Sequence, residues 1–302
     1  MPEPAFETIL YGVEGRIATI TLNRPAKMNA IRPPMPEEIE QAVAAANRDR
    51  EARVIVLKGA GKAFCAGFDF SEGLEHFAGW GGQSAAEPWD PGRDLVISTS
   101  PFAAPVPKFM SLWRSPKPVI AQVHGWCVGG ASELALCADI VVAAEDAQIG
   151  TPYARVWGCH LTGMWIYRLG LARAKFHALT GEPLSGREAA ELGLVNFAVP
   201  ARRLEREVRA LAERLTGIPQ SQLHAMKLVV NQAYDNMGLG TTQLLGPILD
   251  GYMRNTPEGK AFVDTARRRG VGAAVAERDA PFEDYSQAPS ARRPARRRRK
   301  AR

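Results

Sequence analysis

The sequence lacks the features that mark a membrane protein, a disulfide-stabilised secreted domain or a zinc module. No apolar run reaches the roughly 18 to 20 residues that a membrane span requires, and the first ten residues lack the charged-then-apolar pattern of a signal peptide. The four cysteines form no CxxC pair, and no histidine stands at ligand spacing from them. We therefore expect a cytoplasmic protein with reduced thiols, no membrane span and no metal ion.

The positive charge of the chain is concentrated at one end. The net charge is +6, but residues 291–302 hold 8 lysines and arginines and no acid, which leaves 30 basic and 32 acidic residues elsewhere. The rest of the chain therefore lacks the basic surface of a nucleic-acid-binding protein. Because blocks of like charge usually stay solvated, we expect a basic disordered tail over residues 285–302. Contact of this tail with RNA or a membrane surface is the alternative.

The first half of the chain alternates short β-rich runs with amphipathic stretches, which predicts an α/β architecture. Apolar residues spaced for one helix face favour a helix over residues 35–48. A second helix is predicted over residues 131–137. The predicted strands cover residues 16–22, 53–57, 117–123 and 139–143.

The second half is predicted to be mostly helical. Helices are expected over residues 186–192, with Ser185 as the N-cap, and over residues 204–215, 222–236 and 252–267. The stretch from about residue 71 to residue 107 is rich in glycine, proline, serine and tryptophan and predicts a long loop or lid. We therefore divide the chain into a core over residues 1–200, a helical region over residues 201–284 and the basic tail.

Two stretches of small residues run from a predicted strand into a turn and then towards a helix. They are residues 63–69 (AFCAGFD) and residues 124–133 (HGWCVGGASE). Small residues let a ligand approach the main chain, and N–H groups at a helix start remain able to donate. Two such turns can converge on one oxygen atom, although either stretch alone is also compatible with an ordinary glycine turn.

Together with TLNRPAKMNA at residues 21–30 and LTGEPLSGREAAELGLVN at residues 179–196, these stretches resemble the crotonase (enoyl-CoA hydratase/isomerase) superfamily. The resemblance implies an α/β fold, a spiral of ββα units followed by a C-terminal helical region. It also implies an acyl-CoA substrate with no tightly bound cofactor. Members of the family assemble as trimers or pairs of trimers, so the resemblance implies a homotrimer or hexamer.

The resemblance assigns roles to individual positions. The backbone amides of Phe68 and Gly130 match the two donors of the oxyanion hole, and Glu133 matches the first catalytic glutamate. Arg24 and Lys27 are candidate partners for the CoA phosphates, although both can be ordinary surface charges. Asp69 can instead cap a helix or act as an acid behind the residues that contact the ligand. The full set of implied CoA contacts is Arg24, Lys27, Asn29, Ala30, Ala66, Gly67 and Asp69.

The second carboxylate of the hydratase pattern is missing. The residue after the proline of AQIGTP is Tyr153, and residues 158–163 contain no acid. Hydration needs one group to activate water and another to deliver a proton, so Glu133 requires a partner. Tyr153, His160 or an ordered water can take that place. A lone histidine is more often a packed residue than a catalyst.

Three functions follow from this reading. The first is an enoyl-CoA hydratase-like lyase, and the second is an acyl-CoA isomerase or decarboxylase that keeps the oxyanion hole. The third is a catalytically impaired CoA-binding protein. His76, Trp80 and Trp89 can shape a bulky acyl pocket or only fix the loop that carries them.

Overall fold

The computed structural model describes residues 6–71 and 88–285, and its strands form two sheets. The six-stranded sheet has the order β1-β2-β3-β4-β6-β9, and the three-stranded sheet has the order β5-β7-β8. The strands are β1 Ile9–Glu14, β2 Ile17–Leu22, β3 Val54–Gly59, β4 Val119–Val123, β5 Trp126–Val128, β6 Ile140–Ala144, β7 Gln148–Gly150, β8 Leu184–Ser185 and β9 Phe197–Val199.

All the pairings in the large sheet are parallel except the first. β1 and β2 form an antiparallel hairpin in which Ile9 lies opposite Leu22. No strand was predicted before residue 16, so the sequence analysis missed β1 and this hairpin. Gly15 and Arg16 both have positive φ angles, 55° and 70°, as a two-residue hairpin turn requires. Arginine rarely adopts this conformation, so the turn was difficult to predict from the residue types.

Five of the six predicted helices are present, with ends shifted by at most two residues, and the exception is the helix predicted over residues 252–267. Ser185 caps its helix through a capping box with Glu188. The helices are α1 Met35–Arg48, α2 Pro91–Thr99, α3 Pro105–Arg114, α4 Gly130–Leu136, α5 Met164–Leu169, α6 Leu171–Thr180, α7 Gly186–Glu191, α8 Leu204–Thr216, α9 Gln220–Asn236, α10 Leu239–Arg254, α11 Pro257–Arg269 and α12 Val271–Asp279.

The prediction of a long loop over residues 71–107 is wrong for residues 88–107, which the structure describes. Helices α2 and α3 lie there, and the Asp90 side chain caps α2 by accepting from the N–H groups of Gly92 and Arg93. Each helix has a proline in its first turn, where the missing N–H costs nothing. The prolines that suggested a loop therefore mark helix starts.

The end of the described chain also differs from expectation. The predicted helix over residues 252–267 is two helices, because α10 ends at Arg254 and Thr256 caps the start of α11. Tyr285 is buried at 4% exposure, so packed structure reaches the first residue of the expected tail. Residues 286–302 lie outside the described residues. None of the helices in residues 6–71 and 88–285 is both long and apolar enough to span a bilayer.

The parallel pairing of β3 and β4 positions the two glycine turns. β3 ends at Gly59 and leads into residues 63–69, while β4 ends at Val123 and leads into residues 124–133. The carboxyl ends of neighbouring parallel strands lie at the same edge of a sheet. The two turns are therefore next to each other before any side chain is considered.

Candidate active site

Backbone hydrogen bonds join the two glycine turns. The N–H of Phe64 donates to the carbonyl of His124 at 2.7 Å, and the N–H of Cys65 donates to the carbonyl of Trp126 at 3.0 Å. The N–H of Val128 returns a bond to the carbonyl of Cys65 at 3.4 Å. The turns are thus held as one rigid unit by main-chain groups, which no side-chain substitution removes directly.

Phe68 and Gly130 meet at the cavity between the turns. A Cβ atom built on Gly130 would lie 2.5 Å from Cε2 of the Phe68 ring, so only glycine fits without displacing the ring. Gly67 has a φ angle of +97°, and a Cβ atom there would lie 2.7 Å from the carbonyl oxygen of Val128. Both glycines are therefore required by the close approach of the two turns.

The orientation of the two predicted oxyanion donors follows from their backbone partners. Ile31 donates to the carbonyl of Gly67 at 2.8 Å and accepts from the N–H of Asp69 at 2.9 Å. The peptide groups of an extended strand alternate in direction, so the N–H of Phe68 points away from Ile31. Gly130 is the first residue of α4, where N–H groups have no partner within the helix.

Asn29 holds the first turn rather than presenting its amide to a ligand. It is fully buried, and its Nδ2 donates to the carbonyls of Ala60 at 2.8 Å and Ala63 at 2.9 Å, with a longer bond to Phe64. Its Oδ1 accepts from the N–H of Arg24. The predicted CoA contact at Asn29 is thus limited to its backbone. Ala30 follows Asn29 in the chain, and Ala66 and Gly67 of the first turn lie beside this segment.

Arg24 and Asp69 pair with each other. Nη2 of Arg24 donates to Oδ2 of Asp69 at 2.9 Å, and Oδ1 of Asp69 accepts from the N–H and hydroxyl of Ser71. Burial alone would raise the pKa of Asp69, but these bonds outweigh it and the pKa lies below its usual value. Asp69 is therefore a buried partner of Arg24 and Ser71 rather than an exposed ligand contact, and the residues of any helix that it would cap lie outside the described residues. Lys27 is exposed at the surface.

Glu133 is fully buried behind the second turn, and its carboxylate is held by two residues. Oε2 accepts from the N–H of Thr162 at 3.0 Å and from the Thr162 hydroxyl, and Oε1 lies 3.3 Å from Nδ1 of His160. Thr162 is itself fixed by Gln243 of α10, whose Nε2 donates to the Thr162 carbonyl at 3.1 Å. Sequence reasoning missed both residues, because residues 158–163 were searched only for an acid and Gln243 lies in no motif of the resemblance.

The contact with Glu133 relates the two nitrogens of His160 to different neighbours. In the neutral tautomer in which Nδ1 donates to the Glu133 carboxylate, Nε2 carries the lone pair. Nε2 is buried, and no residue of the described part of the chain bonds to it. The ring stacks on Trp165 at a centroid distance of 5.9 Å, and Trp165 is anchored to Ser132 of α4. The structure thus brings His160 to Glu133, as one of the sequence-based alternatives required.

Tyr153 stands beside the same turn and lines the cavity. Its Cε1 atom would be 3.9 Å from a Cβ atom on Gly129, and its ring packs edge-on against His160. The hydroxyl is buried without a partner in residues 6–71 and 88–285. Burial, followed by the charge of Glu133, raises the pKa of Tyr153 well above its usual value. The phenol therefore stays protonated and can serve as a donor but not as a base.

The cavity has a volume of about 170 Å³. It extends from the two turns to a wall that the sequence analysis did not predict. Aromatic side chains of Phe70, Trp157 and Phe262 line one side, and α10 adds Asp250 and Arg254. Phe70 directly follows the first glycine motif, but nothing in the positions of Trp157, Asp250, Arg254 and Phe262 along the chain relates them to the glycine motifs.

His76, Trp80 and Trp89 were assigned to the long loop, and the structure tests this assignment for one of them. Trp89 fixes the segment that carries it, because its Nε1 donates to Oδ2 of Asp94 at 3.3 Å and its ring packs against Tyr252. Of the two open alternatives, the structure therefore supports loop fixation for Trp89. His76 and Trp80 lie outside the described residues.

Comparison with known proteins agrees with this geometry. The sequence model of the family described as enoyl-CoA hydratase/isomerase matches residues 12–245. A probable enoyl-CoA hydratase of Rhodobacter capsulatus is 35% identical over 236 residues, which are 77% of this chain and 84% of that protein. The 1,2-epoxyphenylacetyl-CoA isomerase of Escherichia coli is 32% identical over 76% of this chain and 84% of its own length.

The fold is shared with solved structures. The crystal structure of an enoyl-CoA hydratase from Mycobacterium smegmatis is 41% identical and superposes with a TM-score of 0.85, covering 93% of this chain and 96% of that one. The predicted α/β fold with a C-terminal helical region is therefore confirmed.

Proposed function

The chain belongs to the enoyl-CoA hydratase/isomerase family, and we propose that it adds water to an α,β-unsaturated acyl-CoA thioester. In this reaction the water oxygen bonds to the β-carbon and the electrons of the double bond move towards the thioester oxygen. The amides of Phe68 and Gly130 donate to the oxyanion that forms. The α-carbon then takes a proton, and the product is a hydroxyacyl-CoA.

The observation that carries the proposal is the contact between Glu133 and His160 behind the second turn. Their atoms Oε1 and Nδ1 lie 3.3 Å apart, and Nε2 on the opposite side of the imidazole can take or give a proton. Together the two groups supply the two proton transfers for which the hydratase pattern uses two carboxylates. Tyr153 replaces the second carboxylate in position but, being protonated, only as a hydrogen-bond donor.

The test is a hydration assay with crotonyl-CoA on the wild type and two variants. We expect Glu133→Gln and His160→Gln each to lower kcat by about 100-fold or more, because each removes one proton-transfer group. The matched control is Glu191→Gln, which changes an exposed glutamate at the end of α7 and should leave kcat unchanged. A wild-type rate at the uncatalysed level, with CoA binding intact, would refute hydration.

Isomerisation is the second candidate, and one comparison favours it. The relative from Escherichia coli is named an isomerase and shares 32% identity with this chain. Only hydration adds the mass of one water to the product, isomerisation leaves the mass unchanged and decarboxylation removes carbon dioxide. Mass spectrometry of the product therefore separates these reactions, and a protein that binds CoA without turnover gives no product.

Three further assignments complete the proposal. We place the CoA phosphates near Lys27, because this exposed cation lies close in sequence to Asn29 and Ala30.

We also propose that the protein is a homotrimer or hexamer and that it works in the reducing cytoplasm, where its four cysteines would remain free thiols. Six apolar side chains of α9 and α10 that are more than half exposed support assembly: Met226, Leu228, Val229, Val230, Leu244 and Leu245. Sedimentation analysis tests the stoichiometry, with a monomer as the opposing result.

A further inference from the structure

One wall of the cavity presents a carboxylate that the proposed reaction does not use. Asp250 lies on α10, three residues after Pro247 and four before Arg254, and this spacing places all three on one helix face. All three line the cavity that also contains Gly130 and Tyr153. Asp250 therefore belongs to the same substrate space as the two glycine turns.

The two aspartates on this wall, Asp94 and Asp250, differ in the hydrogen bonds that their carboxylate oxygens accept. Asp94 accepts from Nη2 of Arg254 at 2.8 and 3.0 Å and from Nε1 of Trp89 at 3.3 Å. The nearest cation to Asp250 is also Arg254, but Oδ2 of Asp250 lies 4.0 Å from its Nη1, beyond hydrogen-bond distance. Within residues 6–71 and 88–285 no donor bonds to the Asp250 carboxylate. Its side chain is 23% exposed, against 11% for Asp94, so a ligand can reach it.

The surroundings of the Asp250 carboxylate are largely apolar. The aromatic rings of Phe70, Trp157 and Phe262 line the same cavity, and burial raises the pKa of Asp250 against the opposing charge of Arg254. A ligand that fills the cavity displaces the solvent that reaches this carboxylate, and a polar group without a hydrogen bond then loses the free energy of its hydration. A ligand that brings a matching polar group into the cavity recovers part of that loss.

We propose that Asp250 selects acyl-CoA substrates whose acyl group carries a hydroxyl group. This rests on the proposed function, in that the ligand is an acyl-CoA. A hydroxyl donates to the carboxylate and accepts from the protonated acid, so it pairs with Asp250 in either state. An anionic acyl group would meet the Asp250 carboxylate itself, whereas a hydroxyl adds no charge to a cavity that already contains Arg254 and Arg278.

The experiment measures binding by calorimetry, so it does not depend on turnover. The probes are butanoyl-, hexanoyl- and octanoyl-CoA and their terminally hydroxylated counterparts, which differ only by the hydroxyl. At the chain length that reaches Asp250, the wild type should bind the hydroxylated probe at least about tenfold more tightly than its partner. Asp250→Leu should lose or reverse this preference, while Asp250→Asn, which keeps the shape and hydrogen-bonding groups, should retain part of it.

The control is Asp235→Leu, which changes an exposed aspartate on α9 and should keep the wild-type preference. Equal or weaker binding of the hydroxylated probes at all three lengths, or a preference that survives in Asp250→Leu, overturns the inference. Both results leave the proposed function standing, because acyl-CoA still binds. Failure of the wild type to bind any of the six probes would instead overturn the proposed function and the inference with it.

Discussion

The cavity has two sides that are built by different means. On the side of the core, the turns over residues 63–69 and 124–133 are joined by main-chain hydrogen bonds and by Asn29, and glycines permit their close approach. On the other side, α2, α10, α11 and α12 contribute side chains, and charged pairs hold these helices in place. We call these the turn side and the helix side.

The difference indicates which property each side controls. Backbone donors keep their position whatever side chains surround them, so the turn side suits the charge that every thioester of this class develops. Side chains on helices can change size and charge without moving the turns. The helix side therefore suits discrimination between acyl groups, and substitutions on the two sides should have separable effects.

The largest expected effect concerns the anchor of the helix side. Arg155 is buried, and its Nη1 and Nη2 bond Asp284 at 2.6 and 2.7 Å while Nη1 also contacts Asp279 at 3.2 Å. Arg155→Met leaves these buried carboxylates without that partner, which should lower the free energy of unfolding by about 3 to 5 kcal/mol. Urea denaturation measures the loss, and hydrogen exchange over residues 271–279 locates it.

The control for this substitution is Arg187→Met. Arg187 pairs with Glu145 at 2.7 Å, but its side chain is 64% exposed, so its loss should cost less than about 1 kcal/mol. Equal losses in the two variants would show that the Arg155 cluster does not anchor the helix side.

The next effect concerns the turn side and is measured as activity. In Gly130→Ala, the new Cβ atom lies 2.5 Å from the Phe68 ring, so the two turns must move apart or the ring must move. Displacement of one oxyanion donor should lower kcat by about 100-fold, measured by steady-state kinetics. Gly272→Ala is the control, because a Cβ atom at that position has no neighbour within 4 Å. Full activity in Gly130→Ala would contradict the assignment of the donors.

The sequence predicts the turn side far better than the helix side, for a physical reason. Glycines at a strand end leave a local pattern, and Glu133 follows Gly130 by the three residues that place it on the same helix face. Asp250 reaches the cavity only through the packing of α10, and an aspartate on an amphipathic helix ordinarily indicates a solvent-facing side. The α2 and α3 helices were missed because their prolines serve equally for loops and for helix starts.

A smaller effect tests whether side-chain bonds on the turn side matter as much as the backbone. Asn29→Ala removes the donor to the carbonyls of Ala60, Ala63 and Phe64 and leaves these buried acceptors without it. The free energy of unfolding should fall by about 1 to 3 kcal/mol, and kcat/KM should fall with it. The exposed Asn236→Ala serves as control. A loss of stability without any loss of activity would separate Asn29 from the geometry of the turn.

A pH-dependent effect follows from the lowered pKa of Asp69. A carboxyl group whose pKa is lower in the folded state adds stability above its unfolded pKa of about 3.9, and this stability is lost as pH falls through the folded pKa. The difference in unfolding free energy between wild type and Asp69→Asn should stay constant from neutral pH to about pH 5 and shrink below about pH 4. Urea titrations at several pH values measure it. The exposed Asp146→Asn should show no such pH dependence, and a constant difference for Asp69→Asn would contradict the role of the Arg24 and Ser71 bonds.

The smallest expected effect is at Tyr153, where the two sides meet. Its buried hydroxyl has no partner within the described residues, so Tyr153→Phe removes a polar group without breaking a bond. The free energy of unfolding should therefore stay within about 0.5 kcal/mol of the wild type or rise. If the phenol donates to the reacting acyl group, kcat should still fall by a few-fold, whereas a purely packing role leaves kcat unchanged. A loss of stability above that range would show that the hydroxyl is bonded in the folded protein, and Tyr153 would then belong to the support of the turn side.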